Sequence, residues 1–307
     1  MPAPTARLIA LYAAGALATA LASPARSSIL PASNAPAAMP AAMAATGGAT
    51  VAATVAAVLA ATPLEYADLV DLAEGAPMVA RVEVRKAAAL RPEQSQGVRP
   101  GFARVYIEAR TRAVLLGDGV GESLHFLADV PIDAVRRRPV MPKGLLLVLA
   151  QGVHGSAGGI RLVAPDAAIG WSPETEARLR GVLTELVDPA APPKVRALRD
   201  VLHVAGTLTG EGETQIFVAT TRDPFAISVV RSPGVAPHWG LSLGDVIDPA
   251  ARQPERNTLL WYRLACFLPR NLPAGADISR DPSDAALAAE DYAKVISDLG
   301  RCPRARH

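Results

Sequence analysis

The chain has 307 residues, of which 31 are basic and 29 acidic, and aromatic residues make up only 4% of it. The first 64 residues carry no charge except Arg7 and Arg26, so residues 65–307 hold 29 basic and 29 acidic side chains and have a net charge of zero. This balance lacks the positive surface that nucleic-acid binding requires, and the scarcity of aromatic residues argues against a carbohydrate site built from stacked rings.

The N-terminal segment predicts an exported protein. Residues 8–22 form an uncharged apolar run behind Arg7 and end in an Ala-x-Ala site at Ala20 and Ala22, the pattern of a secretory signal peptide cleaved before Ser23. The run has 15 residues, whereas a membrane-spanning helix needs about 20. We therefore expect residues 1–22 to be a signal peptide and the protein to be periplasmic or secreted.

A second uncharged run covers residues 41–61 and leaves three interpretations open. In the first, residues 23–64 form an Ala/Pro-rich low-complexity tether behind the cleavage site. In the second, translation starts at Met39 or Met43 and the second run is the true signal peptide, cleaved after Ala60. The third is a membrane anchor, which Ala, Gly and Thr favour less than Leu or Ile would. All three place the folded part outside the cytoplasm.

Residues 65–171 have the pattern of one helix followed by short strands. The apolar pattern predicts a helix over 65–75 and strands over 78–85, 102–116, 123–130, 144–150 and 159–165. Five short strands joined by turns are typical of a small barrel or sandwich. The long second strand, which runs into the Gly-rich turn 117–122, resembles the OB-like barrels of many secreted bacterial proteins over about residues 78–170.

The OB resemblance implies a face that binds oligonucleotides or sugars. Such a face needs basic and aromatic side chains, and the sequence offers only Arg104, Tyr106 and Arg110 for it. These three residues are too few, and no nucleic-acid partner is expected.

Residues 172–303 predict a mixed α+β domain. Helices are expected over 173–187, 257–268 and 281–300, capped by Ser172, Asn257 and the Asp281 region, with Gly300 ending the last one. Strands are expected over 214–220, 225–232 and 238–243, the first two as a hairpin, and 195–204 fits either a helix or a strand. The predicted fold class is therefore α+β, a small OB-like five-stranded β-barrel followed by a mixed α+β domain.

The chain contains two cysteines, Cys266 and Cys302. An even count in an exported protein predicts a disulfide, although two unrelated buried thiols remain the alternative. Their spacing excludes a Cys-x-x-Cys redox or zinc site. The two flanking helices would then pack side by side.

Ser156 is the centre of a His-Gly-Ser-Ala-Gly segment that invites comparison with a hydrolase nucleophile. The nucleophile elbow needs Gly-x-Ser-x-Gly between a strand and a helix. Here His154 replaces the first glycine, and a strand follows. We therefore expect a hairpin loop. The basic triplet at 136–138 is likewise expected to be a solvated loop and not a phosphate site.

The histidines do not have metal-ligand spacing, and no metal or cofactor site is predicted. His203 and His238 could meet in the fold, with Glu211 or Glu213 of the Gly-Glu-Gly-Glu turn as acid or base. A simple turn and two packed histidines are the alternative. Clustering of these four side chains in one pocket would indicate an enzyme.

Arg256, Trp261, Tyr262 and Arg263 form a dense arginine and aromatic group beside Cys266. Such residues are enriched at interface hot spots. We favour the alternative that Trp261 packs in the core while the arginines pair with acids of the last helix. The tentative binding or interface residues are Arg256, Trp261, Arg263, His238 and Glu213.

The segment Leu-Leu-Trp-Tyr-Arg-Leu-Ala-Cys-Phe-Leu-Pro at 259–269 and the terminal Cys302 resemble uncharacterised exported proteins of alphaproteobacteria, over most of residues 65–302. The resemblance implies a location and no activity. The sequence favours a non-catalytic binding or protein-interaction module of the periplasm, with an unknown envelope protein or small ligand as its partner. The alternative is an envelope hydrolase of unfamiliar type.

Overall fold

The structure, a computed structural model, describes residues 64–118, 120–243 and 252–306. The predicted signal peptide at 1–22, the alternative start sites and the run at 41–61 lie outside these residues, as does the low-complexity segment apart from Leu64. The described residues form an α+β fold of two antiparallel sheets and four α-helices, as predicted. None of the helices described is long and apolar enough to cross a membrane.

The first sheet is built from the predicted strands and follows a short helix. The elements are α1 (Tyr66–Ala73), β1 (Met78–Ala89), β2 (Phe102–Leu116), β3 (Ser123–Pro131), β4 (Leu145–Gly152), β5 (Ile160–Leu162) and β6 (Ala168–Gly170). The strand order is β3-β2-β1-β4-β5, and β6 pairs with β4. Strand β6 was not predicted, because its three residues are too few to carry a recognisable alternation.

The two edges of this sheet approach each other. A parallel bridge joins His125 of β3 to Gly159, next to β5, and the backbone N–H of Asp129 donates to the carbonyl of Pro165. These contacts bring β3 beside the β5 end of the sheet, but a closed barrel is not established. Val105, Ile107, Leu124 and Phe126 are buried on the face enclosed between the edges.

The second half begins with α2 (Pro173–Val187), whose N-cap Ser172 accepts from the Thr175 N–H as predicted. Strands β7 (Val195–Ala205), β8 (Gly212–Thr220), β9 (Phe225–Ser232) and β10 (Val235–Leu243) form a sheet of order β10-β9-β8-β7. The segment 195–204, whose pattern fits either a helix or a strand, is thus a strand, because it pairs with β8 along its length.

Helices α3 (Leu259–Ala265) and α4 (Pro282–Leu299) complete the described chain. The predicted cap Asn257 is wrong: Thr258 caps α3 by accepting from the Trp261 N–H, and Asn257 has a positive φ of 58°. Cys266 directly follows α3, Cys302 lies three residues after the end of α4, and the two form the predicted disulfide, with their Cα atoms 5.1 Å apart. Tyr292 and Val295 of α4 are buried in the core with Ile216, Val218 and Ile227 of the second sheet.

Candidate functional site

The four residues predicted for a hydrolase site do not come together. His203 pairs with Thr214 across β7 and β8, and the next pair is Val204 with Glu213. Because consecutive strand residues point to opposite faces, His203 and Glu213 lie on opposite faces of the sheet. His203 is only 2% exposed, whereas Glu213 is partly exposed.

Glu211 and His238 are also separate. The Glu211 carboxylate stays within its own turn, where it accepts from the backbone N–H groups of Thr207 and Leu208 at 3.2 Å. His238 is exposed on β10 and aligns with Glu213 through Val230 of the intervening strand. Two strand spacings separate the backbones of His238 and Glu213, about 9–10 Å. The structure therefore does not bring His203, His238, Glu211 and Glu213 together in one pocket.

His203 belongs instead to a buried polar network. Thr214 donates its hydroxyl proton to Asp291 at 2.5 Å, so its oxygen must accept the proton of His203 Nδ1 at 2.8 Å. Arg231 Nε donates to both Asp291 oxygens at 2.9 and 3.0 Å. No hydrogen-bond partner for the Nε2 atom of His203 lies among the described residues. This network fixes β7, β8 and α4 together.

Three members of the arginine and aromatic group, Trp261, Tyr262 and Arg263, are buried. Trp261 is 1% exposed, and its Nε1 donates to the Leu299 carbonyl at 2.9 Å. Arg263 is 4% exposed, and its guanidinium donates to the carboxylate of Glu74, the residue after α1, at 2.5 Å. The predicted pairing of Arg263 with the last helix is therefore wrong. Arg256 is exposed, and its guanidinium carbon lies 5.3 Å from the centre of the Trp261 ring. The group holds elements together and does not form an open contact surface.

A charged cleft of about 320 Å3 lies where α1, β3, the β5–β6 turn and the C-terminal segment meet. Its charged lining residues are Asp68, Asp71, Arg99, Asp129, Asp166, Arg304 and Arg306. The cleft joins residues that are far apart in sequence and brings both signs of charge into one concavity. We refer to it as the Asp/Arg cleft.

Asp68 anchors the C-terminal segment to α1. Its Oδ2 accepts from the backbone N–H groups of Glu65 at 2.9 Å and Ala305 at 2.8 Å, and its Oδ1 accepts from the N–H of Arg306 at 3.2 Å. The residue is fully buried. A carboxylate in the first turn of a helix suits the positive end of the helix dipole. Both oxygens are therefore engaged by backbone donors.

Asp71, one helical turn further along α1, is held by two other residues. Tyr262 donates its hydroxyl proton to Oδ1, and Arg304 Nε donates to Oδ2 at 2.6 Å. Burial raises the pKa of Asp71, but the hydrogen bonds from Arg304 and Tyr262 and the charge of Arg304 outweigh it and lower the pKa. Asp71 is therefore a stable anion at neutral pH.

Asp166, in the β5–β6 turn, binds the second arginine of the C-terminal segment. Arg306 donates from Nε at 3.1 Å and from a terminal nitrogen at 2.6 Å, the two-pronged geometry that suits a carboxylate. Burial raises the pKa of Asp166. The hydrogen bonds and charge of Arg306, together with the charge of Arg99, outweigh burial and lower the pKa below its ordinary value. Arg99 is exposed and its guanidinium lies 4.3 Å from the Phe102 ring centre.

The predicted OB-face residues lie on one face of β2 but are already paired. Arg104 faces Asp129 across β2 and β3 and donates to its two oxygens at 2.7 and 3.0 Å. Arg110 forms an ion pair with Glu122. Tyr106 faces Leu127, which is 44% exposed. The face is therefore short of unengaged positive charge, in agreement with the low count in the sequence.

Ser156 lies in the loop between β4 and β5, the hairpin loop that the sequence predicts. Its Oγ is 3.3 Å from Nε2 of His125, and both side chains are partly buried. No local pattern indicates this partner, because 31 residues separate the two. The parallel bridge between His125 and Gly159 brings them together.

The comparisons with known proteins add no family: no family model, no curated protein and no solved structure matches this chain. The Asp/Arg cleft can bind a polar molecule through charge-assisted hydrogen bonds of both signs. The Ser156–His125 pair is the other place where reactive side chains meet.

Proposed function

We propose that this protein is an extracytoplasmic binding or interaction module that uses the Asp/Arg cleft to hold a small polar ligand. The carrying observation is the convergence of aspartates and arginines from five separate chain segments on one cleft of about 320 Å3. This volume is at the lower end of the range of ligand pockets, about 300–1,000 Å3. The proposed location is supported by the Cys266–Cys302 disulfide and by the signal peptide that the sequence predicts.

The chemistry of the lining favours a ligand that carries both an ammonium and a carboxylate group. Arg99, Arg304 and Arg306 line the cleft with guanidinium groups, which suit carboxylates, and four aspartates lie beside them. Arg304 and Arg306 also hold Asp71 and Asp166, so a ligand would share these groups with the ion pairs. A purely anionic or purely cationic ligand would meet charges of its own sign in the same cleft. An amino acid or a short peptide satisfies both signs.

The approach of β3 to the β5 end supports a further proposal, that the first sheet is an OB-like barrel and residues 65–171 form a domain of their own. The bridge from His125 to Gly159 and the Asp129-to-Pro165 hydrogen bond lie where such a barrel would close. The Asp/Arg cleft would then flank this seam, since Asp129 and Pro165 both line it.

Calorimetric titration of the oxidised protein tests the ligand. We expect free amino acids or dipeptides to bind, and a neutral sugar and a dicarboxylate to bind at least about tenfold more weakly, since one lost charge-assisted hydrogen bond is worth about 1.5–3 kcal/mol. Arg99→Gln should weaken binding, and Arg112→Gln, a change of an exposed arginine paired with Glu83, should not. Absence of binding by every zwitterion, or equal binding by Arg99→Gln, would overturn the proposal.

An envelope hydrolase is the second candidate. The residues predicted for it are dispersed, but one observation favours this class, the hydrogen-bonded Ser156–His125 pair.

A further inference from the structure

We propose that Ser156 is a nucleophile activated by His125 and that this pair accepts an acyl group from small esters. The observation behind it is the contact of 3.3 Å between Ser156 Oγ and His125 Nε2. Nucleophilic serines are recognised by a hydrogen bond to a histidine that can take their proton, and apo structures often show this bond somewhat long. The inference does not depend on ligand binding in the Asp/Arg cleft.

The loop is shaped so that the serine can reach the histidine. A Cβ atom on Gly159 would lie 2.3 Å from Ser156 Oγ and 3.2 Å from His125 Nε2, and one on Gly158 would lie 2.3 Å from the Ser123 carbonyl oxygen. Gly158 also has a φ of 72°, a conformation that other residues adopt with strain. Both glycines therefore permit the close approach of the loop to β3, and the hydroxyl and the imidazole are held in contact.

The surroundings of His125 suit this role. Glu108 lies directly across from His125 on β2, and the Tyr106 ring centre is 6.2 Å from the imidazole centre. His125 is partly exposed, so a substrate can reach the pair from solvent. The buried histidine of the second sheet, His203, contrasts with it, since no solvent path leads to a side chain that is 2% exposed.

The neighbouring surface indicates the class of substrate. Tyr106 and Leu127 form the cross-strand pair next to Glu108 and His125 on the same face, and Leu127 is 44% exposed. An apolar or aryl acyl group can rest on this pair while its carbonyl carbon lies at Ser156. We therefore expect esters with an apolar acyl part.

The reaction balances without a cofactor. Ser156 Oγ attacks the ester carbonyl carbon as its proton passes to His125 Nε2, and the proton is then given to the leaving alkoxide oxygen as the carbon–oxygen bond breaks. Water attacks the acyl-serine in the second half, losing its proton to the same Nε2. That proton returns to Ser156 Oγ when the acid leaves.

The test uses an alkyl fluorophosphonate probe on the full exported chain, with intact mass and peptide mapping as the readout. In this reaction Ser156 Oγ bonds to phosphorus and fluoride leaves. We expect a single label, located at Ser156 and absent from Ser156→Ala. His125→Gln should slow labelling by at least about 100-fold, the usual contribution of a general base. His154→Gln, a change of an exposed histidine in the same loop, should leave the rate unchanged.

Two results would overturn the inference: no label on the wild-type protein, or a label at Ser156 whose rate His125→Gln does not change. If His125→Gln fails to fold, His125→Asn takes its place, because its amide likewise cannot accept the serine proton. Labelling of His125→Asn at the wild-type rate would contradict the role of His125. Loss of ligand binding in the cleft would leave this result untouched.

Discussion

The carboxylate of Asp68 on the first helix accepts the backbone N–H of Ala305 at 2.8 Å, although 237 residues separate the two. Asp71 and Asp166 bind the arginines on either side of Ala305. The C-terminal segment is thus fixed by its backbone and by two of its side chains.

Asp68→Asn should lower the free energy of unfolding by about 3 kcal/mol, because one of the two oxygens would become an NH2 group that faces a backbone N–H. Urea unfolding followed by circular dichroism measures the change. Glu93→Gln makes the same chemical change at an exposed carboxylate and should cost less than about 0.5 kcal/mol. Equal stabilities of the two variants would contradict the anchoring role of Asp68.

Acid should weaken the contacts of Asp71, Glu74 and Asp166, whose folded-state pKa values lie below their ordinary values of 3.8, 4.5 and 3.8. A lowered folded-state pKa means that the unfolded chain binds more protons in this range. The stabilisation is therefore complete above about pH 5 and is lost as the pH falls through the unfolded and then the folded pKa values. Urea midpoints measured from pH 7 to pH 3 should decline.

Arg304→Gln separates the contribution of Asp71 from the general effect of acid. The variant should be less stable than the wild-type protein at pH 7. The difference should shrink as the pH falls through the unfolded-state pKa of Asp71, because the unfolded chain then binds a proton that the paired carboxylate does not. Arg196→Gln provides the surface control, since Arg196 is an exposed arginine of β7. A difference that stays constant with pH would show that the Arg304 contact is not electrostatic.

Removal of the disulfide by the Cys266→Ala, Cys302→Ala double variant should cost about 4 kcal/mol, from the chain-entropy estimate for a loop of this size. The sequence separation of the two cysteines is 36. Unfolding in urea with and without reductant measures it. The wild-type protein should lose stability on reduction, whereas the double variant should not respond.

Thr214→Val should destabilise the second sheet by about 3 kcal/mol, because it leaves the His203 Nδ1–H without an acceptor and removes a donor from Asp291. Thr214→Ser keeps the hydroxyl and should cost only about 1 kcal/mol, the value of one buried methyl group. The free energies of unfolding of the two variants give the comparison. Similar losses for both would mean that the hydroxyl bridge contributes little.

Local signals made much of the fold predictable. Ser172 and Pro173 defined the start of α2, and the apolar alternation defined β2 and β8. The segment at 195–204 remained ambiguous because its pattern fits both periods, and only pairing with β8 decides between them. The disulfide was predictable from two cysteines and an export signal, before any geometry was known.

The sites depended on contacts that no local pattern encodes. The aspartates of α1 look like ordinary solvated helix residues in the sequence, and the arginines near the C-terminus carry no periodicity. Ser156 was singled out, yet its partner His125 lies in another strand and is brought near by a single parallel bridge. Long-range pairing of this kind follows from sheet topology and not from spacing along the chain.

The attachment of the C-terminal segment also has a consequence for how the protein folds. Helix α1 belongs to the first part of the fold to be synthesised, but the donors for Asp68 are the N–H groups of residues 305 and 306. In a nascent chain, the carboxylate of Asp68 therefore lacks these donors until residues 305 and 306 have been synthesised. Loops of this span close slowly, and we expect docking of the C-terminal segment to be the last step of folding.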